Sequence, residues 1–165
     1  MATGTEATGD APKAYYLSAV VYVERDGKIL LLKRAGGEGT GLWWIPGGAM
    51  ERDEGPENAA RRELLEEAGI TPTSPLSLIG VFPQHVYGQD TYCVSYACQC
   101  REGDVTVSGE HTAHRWIDPV DYRARFFSDE IVDSIGDAAT SQLVRDIRDD
   151  LDRYLAWREL RTAAP

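Results

Sequence analysis

Between Gly55-Pro56 and Gly69 the chain changes period, and that change frames every other reading. Proline suits the first turn of a helix, where its missing N–H costs no hydrogen bond. Glu57 to Ala68 is filled with strong helix formers, and Gly69 fits the left-handed stop just past a helix end. Ala60, Leu64, Leu65 and Ala68 are the apolar residues expected to share the buried side of this amphipathic helix. Extended runs flank it on both sides, so the sequence predicts an α/β (α+β) chain.

The first two runs, Tyr15 to Glu24 and Ile29 to Lys33, read as a hairpin closed by the Asp26-Gly27 turn. A glycine-rich loop, Ala35 to Gly41, leads to the short extended segment Trp43-Trp44-Ile45-Pro46, which Gly47-Gly48 ends. After the central helix, strand-like runs return at Leu76–Phe82, Thr91–Cys100, Val105–Val107 and Ala113–Ile117. Ile131, Ile135, Leu143, Ile147, Leu151, Tyr154 and Leu155 recur near a 3.6 period, so the tail from Asp129 to Arg161 reads as helical, with Gly136 breaking it in two. Residues 1–13 are small, polar and aperiodic and read as a disordered leader to a single domain at 14–165, whose helical extension begins near residue 124.

Charge narrows the function. With 27 Asp+Glu against 17 Lys+Arg the net charge is −10, which opposes a sequence-independent grip on a nucleic acid polymer. A small anionic substrate stays open, because a bound divalent cation reverses the local field. No run of 18 apolar residues exists to span a membrane, and the first residues lack the basic-then-apolar pattern of a secretory signal. Three cysteines do not describe a disulfide framework, and a soluble cytoplasmic protein is expected. Cys98 and Cys100 share a strand face that Cys93 does not, a pattern better suited to buried free thiols than to zinc.

Within the helix, Glu63, Glu66 and Glu67 fall within an arc of about 100°. Like charges at these spacings destabilise a helix unless something neutralises them. A hard divalent cation would do so; a solvated acidic face compensated by Arg61 and Arg62 is the alternative.

The surroundings of the helix decide between them. Gly48 is followed after five residues by Glu54, and after seven more by Arg62-Glu63-Leu64-Leu65-Glu66-Glu67-Ala68-Gly69-Ile70. This resembles the Nudix box at all of its specified positions, and Gly41-Leu-Trp-Trp-Ile-Pro-Gly-Gly48 resembles the family's usual lead-in. The resemblance covers residues 15 to 122. It implies an α/β/α sandwich with a mixed β-sheet, the box forming loop–helix–loop, with the C-terminal helices outside it. It also implies metal-dependent hydrolysis of a diphosphate bond in a nucleoside diphosphate linked to another moiety.

Carried over by resemblance, Gly48 through its carbonyl, Glu66, Glu67 and Glu63 would hold Mg²⁺, with Mn²⁺ as a substitute. Glu63, Glu67 and Glu110 would be catalytic, and Arg62 would pair with Glu54 to orient the carboxylates. Glu110 is the candidate for an acid following the box, in Glu110-His-Thr-Ala-His-Arg-Trp116. His114 stands where many members carry a second acid, so the general base is open among Glu63, Glu110, His111 and His114. Arg34, Trp44 and Tyr87 are candidate substrate contacts; for Arg34 a surface salt bridge and for Trp44 core or rim packing are the alternatives. Phe82, His85, Tyr87 and Asp90 are placed in a loop after the box, where members commonly select substrate. Pro83 and Tyr87 sit near the marks of ADP-ribose and dinucleoside-polyphosphate subfamilies, and having both is not diagnostic. A nucleoside triphosphate or other small nucleotide is the expected substrate. The alternatives are ADP-ribose, a nucleotide sugar, a dinucleoside polyphosphate, or a non-catalytic nucleotide-sensing module. A homodimer is possible through the C-terminal helices.

Overall fold

The computed structural model describes residues 13–163 apart from Glu38, Tyr87 and Glu102, so all of the leader except Lys13 lies outside the described residues. Strand β1 (Tyr16–Arg25) turns into β2 (Lys28–Arg34) through Asp26 and Gly27, both at positive φ. That is the two-residue turn whose twist suits a hairpin. The strands then part, for β1 and β2 pair only at Glu24↔Ile29 and Arg25↔Lys28.

Beyond the turn each strand takes other neighbours. The glycine-rich loop folds β2 back onto β3 (Trp43–Trp44), and β2 pairs on its other side with β7 (His111–Ile117). β1 pairs antiparallel with β4 (Gly47–Ala49) and parallel with β6 (Gln89–Gln99), which in turn pairs with β5 (Ser77–Val86). The sheet is therefore mixed, and it splays where β1 and β2 separate. Gly47 and Gly48 do not end the third extended segment but start β4.

Alternate residues of β1 feed opposite faces, as a pleated strand requires. Ala19, Val21 and Val23 pack with Leu30, Leu32, Val94 and the helix α1 (Pro56–Ala68). Val20 and Tyr22 pack with Leu31 and Cys93 against α2 (Pro119–Phe126), α3 (Asp129–Asp133) and α4 (Ala138–Ala163). Helices on both faces make the expected sandwich. α1 begins at Gly55-Pro56 and stops at Gly69 in the left-handed conformation, whose N–H reaches the carbonyls of Leu64 and Leu65. The tail breaks between Asp133 and Ala138, around Gly136. All three cysteines are free, with Cys93 and Cys98 on opposite faces.

Four local expectations are corrected. Leu65 is 55% exposed while Ala59 is fully buried, so the buried face of α1 is rotated toward Ala59, Ala60, Leu64, Glu67 and Ala68. Val105–Val107 forms no strand, because the N–H groups of Thr106 and Ser108 go to the carbonyls of Ala68 and Glu67. Those carbonyls close α1 and have no partner within the helix. Phe82 and His85 lie on β5 and Asp90 on β6, within a hairpin rather than a loop. The helical tail starts earlier than residue 124, at α2, where the side chain of Asp118 caps the N–H groups of Val120 and Asp121.

α4 is fastened to the sheet by a buried polar group. Asp150, 2% exposed, accepts hydrogen bonds from Tyr22 (2.9 Å) and Ser95 (2.5 Å), and the Tyr22 ring stacks on Tyr154 at 4.0 Å. Burial pushes the Asp150 carboxyl above its ordinary value against the pull of those two bonds. A raised folded-state value means stability that is full below about pH 4 and is lost as pH rises through that value. Asp150→Asn should therefore gain stability relative to wild type as pH rises from about 4 in urea titrations; an unchanged difference would refute this. On α1, Leu64→Ala should cost about 2–5 kcal/mol and Leu65→Ala no more than about 0.5 kcal/mol by the same titration.

Candidate active site

The parting of β1 and β2 leaves a cleft of about 410 Å³. Along β1 it is lined by Tyr16, Ser18 and Val20, continuing the face that carries Tyr22 beneath α4. α1 presents Arg62, Glu63, Glu66 and Glu67 to it, and Gly47, Gly48 and Ala49 come from β4. Arg34, Trp44, Glu110 and His111 complete that end, while Gln84, Val86, Gln89 and Thr91 of β5 and β6 form the other.

Two glycines let helix and strand meet. Gly47 has φ of 154°, and a Cβ there would stand 2.4 Å from the Ala19 carbonyl oxygen. At Gly48 a Cβ would stand 2.5 Å from Glu63 Oε1, so the Glu63 carboxylate occupies the space a side chain would take. The N–H of Gly47 donates to Glu67 Oε2 at 2.9 Å.

Arg62 organises the remaining acids. Its Nε and Nη2 donate to the two oxygens of Glu54, each at 3.0 Å, and Nη2 also reaches the Ala49 carbonyl at 3.0 Å. Nη1 donates to Glu63 at 2.8 Å and Glu66 at 3.1 Å. The predicted Glu54–Arg62 pairing is thus present, and Arg62 also stands between two of the candidate ligands. Among the described residues, no three His, Cys, Asp or Glu side chains form a ready-made metal cage.

The site is nonetheless short of positive charge. Burial pushes the Glu67 carboxyl up to about 8; the Gly47 hydrogen bond opposes this, and Glu63 and Glu110 add to it. Glu63 is raised as well, by burial first, against the pull of Arg62. Carboxylates held this close to one another offer hard oxygen donors and gain from a divalent cation, whose charge removes the repulsion. The cradle at Gly48 and the donor set both fit such an ion.

His111 sits 9% exposed with Nε2 3.7 Å from Glu67 Oε1. Burial and then the Arg34 charge lower its pKa, so the ring is neutral at pH 7. His114 is exposed, opposite Leu32 in the β2–β7 ladder, and does not line the cleft. The Ser108–His111 turn, tied by the N–H of Ala35 to the Glu110 carbonyl at 2.8 Å, brings Glu110 over from the far side. Trp44 lines the cleft, whereas Trp43 lies under the guanidinium of Arg115 at 4.0 Å. Tyr87 lies outside the described residues.

Sequence reasoning missed the wall built by Tyr16, Ser18, Gln84, Val86, Gln89 and Thr91. One signal was present at Gln84, a polar residue between Phe82 and Val86 on the same face of β5.

Comparison with known proteins agrees with this geometry. A family model for the NUDIX domain matches residues 15–135. A MutT-like protein of Streptomyces ambofaciens is 34% identical over 119 residues, which is 72% of this chain and 73% of that protein. The CTP pyrophosphohydrolase of Escherichia coli (strain K12) is 52% identical over 52 residues, 31% of this chain and 38% of that protein. Among solved structures, the MutT protein from Methanosarcina mazei Go1 superposes with a TM-score of 0.66 at 23% identity, over 88% of this chain and 99% of that one. The E. coli ORF135 protein does so at 0.60 and 27% identity, over 91% and 95%. With its box built around α1 and a mixed sheet opening beside it, the chain belongs to the Nudix family of hydrolases.

Proposed function

We propose that this chain hydrolyses a diphosphate bond in a small nucleotide, a nucleoside triphosphate before others, with Mg²⁺ as its cation and Mn²⁺ as a substitute. The observation that carries the reading is the gathering of Glu63, Glu66, Glu67 and Glu110 at one end of a cleft whose other end is largely uncharged. Acids alone would repel a phosphate chain, so that end becomes useful once a cation lies between them. The relative named for CTP hydrolysis supports a nucleotide substrate.

Glu66, Glu67, Glu63 and the carbonyl of Gly48 would hold the cation, which supplies charge neutralisation on the phosphate oxygens. Arg62 keeps Glu63 and Glu66 oriented through Glu54, and Arg34 adds a positive charge at the cleft wall. The proton of the attacking water needs an acceptor that is not already engaged. Glu63 is bonded to Arg62 and Glu67 to the Gly47 N–H, whereas the Glu110 carboxylate makes no ion pair among the described residues. We assign the base to Glu110. Trp44 would lie against the nucleotide. Three free thiols, two of them buried, suit a reducing cytoplasm. Among the described residues no helix is long and apolar enough to cross a membrane.

The test is a panel of nucleoside triphosphates, ADP-ribose and dinucleoside polyphosphates, followed by chromatography with Mg²⁺ or EDTA. Cleavage should require the metal, and Glu67→Gln should lower kcat by about 1000-fold or more with an unchanged circular dichroism spectrum, since several kcal/mol of charge stabilisation is removed. Ligand binding with no cleavage of any compound would instead mark a sensing module. Glu110→Gln should lower kcat by about 100- to 10,000-fold while Mn²⁺ affinity stays near wild type; a loss of Mn²⁺ binding would make Glu110 a ligand.

A further inference from the structure

We propose that Gln84 reads the edge of the nucleobase and so sets which nucleotides this site accepts. The inference rests on the nucleotide reading above and extends it to the opposite end of the cleft.

Gln84 is 7% exposed and lines the cleft; its carboxamide makes no hydrogen bond to protein among the described residues, and its polar atoms are not sealed off, so they face the space of the cleft. A side chain whose stem is buried while its amide opens into the cleft offers its donors and acceptor to whatever enters there. The neighbouring polar side chain is already engaged: the Thr91 hydroxyl donates to the Gln89 carbonyl at 3.3 Å. Gln84 is therefore the buried polar group of this wall with its donors and its acceptor still available.

Its position matches the task. Gln84 pairs in register with Thr91 and Thr91 with Tyr16, so the three form one row across β5, β6 and β1. Gly47, whose N–H holds Glu67, pairs with Val20. At the usual rise of about 3.3 Å per residue, the Tyr16 row and the Val20 row are about 13 Å apart along β1. An extended nucleotide with phosphates at the acids would bring its base to the Gln84 row. Tyr16 in the same row and Val86 two residues along β5 supply apolar surface for the faces of a ring, leaving only its edge in need of polar partners.

The chemistry also fits. A carboxamide presents an acceptor beside a donor, the pattern a base edge displays, and it adds no charge to a site that already repels anions. A reader must be rigid to discriminate. β5 is the last strand of its sheet, but its outer side is pinned: the N–H of His85 donates to Asp146 Oδ2 at 2.9 Å, and Gln142 holds the other oxygen at 2.8 Å.

The experiment measures binding separately from turnover. Equilibrium dialysis of AMP, GMP, CMP, UMP and ribose 5-phosphate would be run on wild type, Gln84→Ala and Gln84→Glu, with hydrolysis of the matching triphosphates assayed in parallel. Wild type should rank the four monophosphates. Gln84→Ala should weaken the tightest of them by about 10- to 100-fold, the discrimination of one good amide–base contact, and flatten the ranking while ribose 5-phosphate is unaffected. Gln84→Glu keeps the shape and the acceptor but loses the donor, so the ranking should reorder rather than flatten. An unchanged ranking, no ranking in wild type, or an equal loss for ribose 5-phosphate would overturn the proposal. If the binding pattern shifts as stated while wild type cleaves no triphosphate, base reading stands and the pyrophosphohydrolase reading fails.

Discussion

The guanidinium of Arg62 is the joint on which the acidic end of the cleft depends. Its fork makes five hydrogen bonds at once, to both oxygens of Glu54, to the Ala49 carbonyl, to Glu63 and to Glu66. These partners belong to the loop before α1, to the end of β4 and to α1 itself, so one side chain fixes three pieces of chain against each other. A lysine, with a compact charge and no planar fork, could not hold Glu54 in two-point fashion and reach the other partners too. The same contacts offset the repulsion that carboxylates at i, i+3 and i+4 would otherwise bring to the helix.

Glu67 escapes this arrangement, and its isolation is informative. It lies on the buried side of α1, and it is reached by the Gly47 N–H and by neutral His111 rather than by Arg62. Burial first, and then the nearby Glu63 and Glu110, disfavour its ionised form. That placement depends on β4 lying against β1 closely enough for the Gly47 N–H to meet the helix, which excludes any Cβ at Gly47. Lead-in glycines, helix acids and Arg62 are thus one device.

This is why so much of the site was legible from the chain itself. The box is contiguous, and its spacing encodes helix geometry directly, so Gly48, Glu54, Arg62 and the three acids could be placed together. The hairpin at Asp26-Gly27 and the cap at Gly69 were readable for the same local reason. What escaped depends on distant partners. Val105–Val107 looks like a strand by composition, but its backbone is taken by the end of α1. Leu65 looks like core, yet one step of 100° from Leu64 turns it to solvent. Gln84 carried a faint mark on β5, but its meaning appears only when β6 and β1 set it in a row with Tyr16.

The two ends of the cleft accordingly follow different rules. Most of the acid end is built from one helix and the segment just before it, with Glu110 and His111 added from the turn before β7 and Arg34 from the end of β2. The β5–β6 end is assembled from strands whose inward residues answer only to what fills the cleft. A substitution at Gln84 touches neither Arg62 nor Glu67, because the two rows lie about 13 Å apart along β1, whose core face is anchored independently beneath α4 by Asp150. Chemistry can then remain fixed while recognition drifts, and substrate identity has to be sought on the wall that the box does not specify.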